Sequence, residues 1–315
     1  MFSLFKTRRQ QKRRTAPPGS LGAEPSMAHV PPPAPKVGMR KGGRPIAHRN
    51  IWSVVVAVAF CVPTLAQMQQ EGAAGYRTVA CFKVKPEKSN EFRTWAASDL
   101  HRYAQSSVDS GVLSTWFLLR SVYPQGASAD CDYLTISTYR ALPPEPLSSE
   151  VLDGALKTAR LTMTEQQFID RRDSLATMVS SSLFQNRASV GDPPSKGNYL
   201  VLNYMKAADV DDWVAFEKKV WQPVAEELVK DGRSSGWSLN VQVLPGGTDL
   251  KFQGVTVDVY AGWNDVFKDD PQLRERFKKV HPDMEFEATF GQFQKLRTLI
   301  SVRLFTVVDV VTSTK

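Results

Sequence analysis

Two stretches of the 315-residue chain carry the side chains best suited to handle a small molecule. In WSLNVQ (237–242), Ser238, Asn240 and Gln242 alternate with Trp237, Leu239 and Val241. In VTVDVY (255–260), Thr256, Asp258 and Tyr260 alternate with three valines. Strict alternation puts each set on one face of a strand. A carboxylate among amides and hydroxyls can move a proton near neutral pH if burial raises its pKa. Asp258 is therefore the candidate acid/base, with Tyr260 and Tyr139 as orienting hydroxyls. Ser238, Asn240, Gln242 and Thr256, with Thr135 and Ser137 of the matching stretch YLTISTY (133–139), are candidate ligand-binding groups. The valine faces are expected to meet helices and the polar faces to line a cavity. The open alternative is that the polar faces form a wet packing surface with no ligand.

Other chemistries find less support. Beyond residue 66 the chain holds two histidines, His101 and His281, without paired-ligand spacing. HExxH, CxxC, Walker A and GxGxxG patterns are absent, so no metal site is expected and no cofactor is required. No nucleophile-elbow motif supports a Ser-His-acid triad.

The formal charge of +8 points to nucleic acid or an acidic membrane until its location is considered. Residues 1–50 hold 11 of the 40 Lys and Arg and one of the 32 acids, and 51–66 hold no charge, so the remainder carries 29 − 31 = −2. Such a balance leaves no electrostatic footprint for phosphate, and no nucleic-acid partner is expected. The opening segment is basic, then proline-rich, as in disordered extensions. MRKGGRPIAHRN from Met39, the apolar IWSVVVAVAFCVP, and then TLA before Gln67 form the three parts of a signal peptide, with Met39 as the expected start. The apolar run is short for a membrane span, so no membrane contact is expected of the mature chain, although an uncleaved anchor is the alternative. Export to the periplasm or the extracellular space would permit a disulfide between Cys81 and Cys131.

The elements that must position these residues come in two sets. WFLLRSVYPQG at Trp116 and WSLNVQVLPGG at Trp237 share Trp, Leu, Pro and Gly at equal spacing. An offset of 121 gives Gly111/Gly232, Ser114/Ser235, Trp116/Trp237, Leu118/Leu239, Val122/Val243, Pro124/Pro245 and Gly126/Gly247, and extends ungapped to Lys85/Lys206, Thr135/Thr256 and Tyr139/Tyr260. Seven identities in sixteen positions, against about one from average residue usage, mark two copies of one unit. Each copy reads strand, helix, strand, strand, helix, strand. The helix opening at Asp209 spaces Trp213, Phe216, Val220, Val224 and Leu228 by three or four and ends at Gly232, with a kink expected at Pro223. The fold class is therefore α+β, with ferredoxin-like βαββαβ repeats over 76–190 and 197–311 after a signal-bearing segment, 1–66.

The strand before KVKPEKSNEF, the helix that follows it, the Gly-led second strand ending in Pro and a third strand such as YLTISTY resemble the dimeric α/β-barrel superfamily, which includes antibiotic-biosynthesis-monooxygenase-type domains. The resemblance covers roughly 76–311 and implies an eight-stranded barrel with helices outside, closed here within one chain. It implies three kinds of function: a small-organic-ligand barrel with cofactor-free oxygenase- or isomerase-like activity, a non-enzymatic carrier or interaction module, and a haem-binding barrel. The fold does not choose between them. Monomer and homodimer both remain open. The export reading predicts that N-terminal sequencing of the mature protein starts at or near Gln67; a soluble mature chain starting at Met39 or Met1 would overturn it.

Overall fold

The structure is a computed structural model and describes residues 75–143, 149–247 and 249–313. The basic extension, the signal peptide and its cleavage site after Ala66 lie outside the described residues. The first run of elements is β1 (Tyr76–Val84), α1 (Ser89–Trp95), a π-helical segment (Ala96–Leu100), α2 (His101–Asp109), β2 (Thr115–Tyr123), β3 (Tyr133–Tyr139), α3 (Ser149–Thr158), α4 (Glu165–Leu175) and β4 (Ala176–Gly191). The second is β5 (Tyr199–Ala207), α5 (Val210–Phe216), a π-helical segment (Glu217–Trp221), α6 (Gln222–Lys230), β6 (Gly236–Leu244), β7 (Gly254–Tyr260), α7 (Trp263–Phe267), α8 (Leu273–Val280), α9 (Phe286–Leu296) and β8 (Arg297–Thr312).

Local chemistry explains several boundaries. The Asp209 side chain accepts from the Asp212 backbone N–H at 2.9 Å and caps α5. Thr164 and Gln167 form a reciprocal capping box on α4. Gly111 and Gly232, at φ of 78° and 66°, end α2 and α6 where an L side chain would be strained. The π-helical segment occurs in both runs, and the first has no proline, so Pro223 is not its common cause. Helices α3, α7 and α8 had no counterpart among the expected elements.

The eight strands close into a barrel in the order β1-β3-β2-β8-β5-β7-β6-β4. The two 16-residue strands close it. The first part of β4 pairs with β1 and its last part with β6, while β8 pairs first with β5 and then with β2. Trp116 and Trp237 occupy the second position of β2 and β6, and both are buried. Both strands end in a cis X–Pro bond, at Pro124 and Pro245.

Register corrects the ungapped offset. Tyr76 and Tyr199 lie opposite Tyr139 and Tyr260, so β1 and β5 correspond at an offset of 123, not 121. Lys206 therefore matches Lys83 rather than Lys85. The two-residue difference lies in the connection to the first helix, residues 85–88 in one run and 208–209 in the other.

One apolar cluster fills the barrel, drawing Phe117, Leu134, Phe184, Leu200, Val255 and Phe305 from both runs. Another packs α1, α2, α3 and α4 on the outside of the first run, around Phe92, Trp95, Trp116 and Phe168. Cys81 and Cys131 are disulfide-bonded and belong to the interior cluster. Closing a 50-residue span restricts the unfolded chain and contributes about 4 kcal/mol by loop entropy. The Cys81→Ala/Cys131→Ala pair should therefore lose about 4 kcal/mol in urea unfolding, with a lower midpoint. An unchanged midpoint would show that the bond contributes nothing to stability.

Candidate functional site

The strand faces in β7 and β3 are the reverse of the sequence expectation. Val255 and Val259 pack with Phe117, Leu119 and Leu200 inside the barrel, and Val257 packs against the same cluster. Thr256, Asp258 and Tyr260 face the helices: a Cβ at Gly254, on their side of the strand, would lie 2.5 Å from the Trp213 ring of α5. In β3 the interior takes Leu134 and Ile136, which turns Thr135, Ser137 and Tyr139 outward. In β6 the expected orientation holds, and Ser238 and Asn240 point inward, toward Arg77 of β1. The physical reason is pairing. Trp237 lies opposite Asp258 and Ser238 opposite Val257, so the apolar face of β6 shares a side with the polar face of β7. The convergence of Asn240, Gln242, Asp258 and Tyr260 on one interior pocket therefore does not occur.

Gln242 serves the turn. Its side-chain amide donates to the Pro245 carbonyl at 2.9 Å. Ser121, the matching residue of β2, donates to the Pro124 carbonyl at 2.6 Å. Both brace a cis-proline turn.

The barrel mouth at the ends of β3, β4 and β7 opens into a cavity of about 420 Å³. Phe117, Ile136, Leu200, Val257 and Val259 form one wall. The other wall holds Arg77, Ser238 and Asn186. Arg77 Nη1 donates to Asn240 Oδ1 at 2.8 Å and to Ser238 Oγ at 3.2 Å. Asn240 Nδ2 donates to Ser238 Oγ at 3.1 Å, and Asn186 Nδ2 donates to Asn240 Oδ1 at 3.2 Å. Burial pushes the Arg77 guanidinium down to about 10. Gly191 sits on the rim at φ 79°, where an added Cβ would lie 2.4 Å from the Ser235 carbonyl oxygen. Tyr139 also reaches the rim, and burial raises its phenol. Arg77 and Asn186 were missed from sequence. The available signal was that Arg77 interrupts the apolar alternation with Val79 and Cys81, whereas its match in β5 is Leu200.

Asp258 lies in a second polar group, on the helix side of the second run. Asn203 Nδ2 donates to its Oδ2 at 2.8 Å and to Thr256 Oγ1 at 3.4 Å. Nearby, Glu217 of the π-helical segment accepts from Trp213 Nε1 at 2.9 Å and from Arg297 Nε at 3.0 Å, and its Oε2 has no partner among the described residues. Burial raises the Glu217 carboxyl against the pull of Arg297. Burial also raises the Tyr260 phenol, helped by the Asp258 charge. The corresponding residues of the first run are small: Ala96 for Glu217, Ala176 for Arg297, Ser137 for Asp258 and Ala80 for Asn203.

A cavity of about 400 Å³ opens in the first run beside Ala96 and Ala97, lined also by Arg93, Arg120, Lys196, His101 and Asp309. His101 Nδ1 lies 2.7 Å from Asp309 Oδ2. His281 Nε2 lies 2.8 Å from the Val220 carbonyl oxygen, as in a structural histidine. Asp99 pairs with Arg102 at 2.8 Å on the exposed edge of its helix. Among the described residues, no group of three or more His, Cys, Asp or Glu is arranged to hold a metal ion.

Burial pushes the Asp258 carboxyl up, offset in part by the Asn203 hydrogen bond. A carboxyl raised in the folded state keeps its proton longer than in the unfolded chain. Its contribution to stability is therefore greatest in acid and declines as pH rises from the ordinary Asp range through the raised value. Asp258→Asn keeps an acceptor for Asn203 and removes this decline. The variant's stability minus that of the wild type should grow as pH increases from about 4 to 8. A difference that stays constant with pH would contradict this placement.

No protein-family model matches the chain, and no curated protein matches it. Solved structures do. A protein provisionally named a monooxygenase, from Fusobacterium nucleatum subsp. nucleatum, aligns over 76% of this chain and 95% of its own at 11% identity and a TM-score of 0.47. A second protein with that provisional name, from Lactobacillus acidophilus, covers 76% and 96% at 9% identity and a TM-score of 0.46. An anthrone oxidase-like protein covers 78% and 95% at 12% identity and a TM-score of 0.45. In this chain the eight strands close into one barrel, to which two successive βαββαβ runs contribute four strands each.

Proposed function

We propose that this chain is an exported barrel protein that binds a small, largely apolar organic molecule in the barrel mouth. The observation that carries this reading is the cavity of about 420 Å³, with one apolar wall and one polar wall that converges on Arg77. Binding pockets for small molecules have this size and makeup. Export is supported by the signal-like segment before Gln67 and by the Cys81–Cys131 disulfide, a bond of oxidising compartments.

The cavity bears on the choice between carrier and enzyme. Among the described residues that line it, the carboxylate is Asp192 on the exposed rim, and there is no histidine. Asp258 lies on the far side of the β7 backbone. General acid–base chemistry therefore has no buried carboxyl or imidazole within reach, and the Tyr76 and Tyr139 phenols are the proton donors that remain, which favours a carrier or a reaction driven by the ligand itself.

A second reading, haem binding, has one observation in its favour. His101 has its Nδ1 held by Asp309, its Nε2 makes no hydrogen bond with a described residue, and three cations face the same cavity. A carboxylate behind an imidazole orients it as a metal ligand. Arg93, Arg120 and Lys196 would meet the acidic groups of the porphyrin, and the iron would supply redox chemistry. Native mass spectrometry and an absorption spectrum of the purified protein separate the two readings. The barrel-mouth reading predicts a co-purified organic molecule that Leu200→Trp, which fills the mouth, displaces. A Soret band lost in His101→Ala would favour haem instead. A wild-type protein with no retained molecule and no affinity for small aromatic probes would end the first reading.

A further inference from the structure

We propose that Arg77, held by Asn240 and Ser238, anchors the head group of an apolar carboxylate whose tail lies against Phe117, Leu200 and Val259. This inference rests on the ligand-binding reading above and names its ligand class.

Three observations carry it. First, Arg77 has no ion pair among the described residues. Its two hydrogen bonds to described residues both come from Nη1 and go to neutral oxygens, leaving Nε and Nη2 without an acceptor among the described residues. Asp192 and Arg140 line the same cavity, but both are exposed on the rim and neither pairs with Arg77. Arg77 is half-buried at the cavity, and a guanidinium partly withdrawn from water without a counter-ion carries a desolvation penalty. Burial lowers its pKa, and an incoming anion would relieve that penalty.

Second, the polar wall breaks the internal symmetry of the barrel. Strand register matches Arg77, Asn186, Ser238 and Asn240 with Leu200, Val307, Phe117 and Leu119. The second set belongs to the apolar interior cluster. One quadrant of the barrel is thus packed with aliphatic and aromatic groups, while its mate presents a cation and three hydrogen-bonding side chains. The packed quadrant shows that this backbone does not need the polar set to fold.

Third, the two quadrants face one cavity, so an ionic head and an apolar tail can be satisfied together. A single cation with a planar fork suits a monoanionic carboxylate, which two parallel N–H donors can grip.

Calorimetric titration of the purified protein with benzoate, naphthoate and decanoate, against benzyl alcohol, naphthylmethanol and decanol, tests this. At least one carboxylate should bind about tenfold or more tightly than its alcohol. Arg77→Met should abolish that preference, bringing the carboxylate's affinity down to that of its alcohol. The ligand-free variant should melt no lower than the wild type, because it loses an unpaired charge. Arg77→Lys keeps the charge without the fork and should show a reduced preference; it also serves if Arg77→Met fails to fold. Equal affinity for acid and alcohol in the wild type would overturn the carboxylate inference and leave the ligand-binding reading intact. No binding by any of the six would remove both.

Discussion

The backbone ladders of β4 and β8 are the constraint on which the rest of the structure depends. Each strand begins paired to the first strand of its own run and ends paired to the second strand of the other. These seams turn two open four-stranded sheets into a closed one, which leaves no exposed edge for unwanted pairing. Closure also gives every strand one inward and one outward face. Bulges adjust this within both long strands, between Asn186 and Ala188 and between Val307 and Asp309, where the pairing shifts by a residue. The positions of Asn186 and Asp309 follow from those bulges, and each belongs to a different cavity.

Two departures from internal symmetry stand out on this common frame. Inside, the quadrant formed by β1, β4 and β6 is polar where that of β5, β8 and β2 is apolar. Outside, the second run fills the space under its π-helical segment with Glu217, Arg297 and Asn203, while the first run has alanines there and a cavity beside His101. A buried ion pair is weak support for stability, because desolvation offsets most of its attraction. Glu217 and Arg297 are better understood as space-filling groups, with Glu217 Oε1 accepting from both Arg297 and Trp213. Their removal one at a time would leave a charge stranded in the packed layer.

The two cavities divide the chemistry. The barrel mouth offers a cation, amides and an apolar wall, which suits recognition and retention. The outer cavity offers an imidazole oriented by a carboxylate and a ring of cations, the groups a redox cofactor would use. Asp258 belongs to neither. Its partners are Asn203 and the neighbouring buried charges, and its raised carboxyl reflects dry packing under α5.

Much of the architecture was legible in the sequence because it rests on local periodicity. Alternation marked the strands, the spacing of Trp213, Val220 and Val224 marked a helix, and the repeated Trp–Leu–Pro–Gly pattern marked two copies of a βαββαβ unit. Gly232 at a helix end also follows from short-range chemistry. Which strand face looks inward was not legible. Alternation separates two faces but carries no sign, and the sign in β3 and β7 is set by pairing with β2 and β6, about twenty residues away along the chain. Arg77 shows the same limit at longer range: its partners Ser238 and Asn240 lie more than 160 residues away, and only barrel closure brings them together. Sequence determined the strands and the main helices of each run, though not α3, α7 and α8, because hydrophobic period and caps act within a few residues. The tertiary structure alone decided which polar groups share a cavity, because that depends on strand register across the seams.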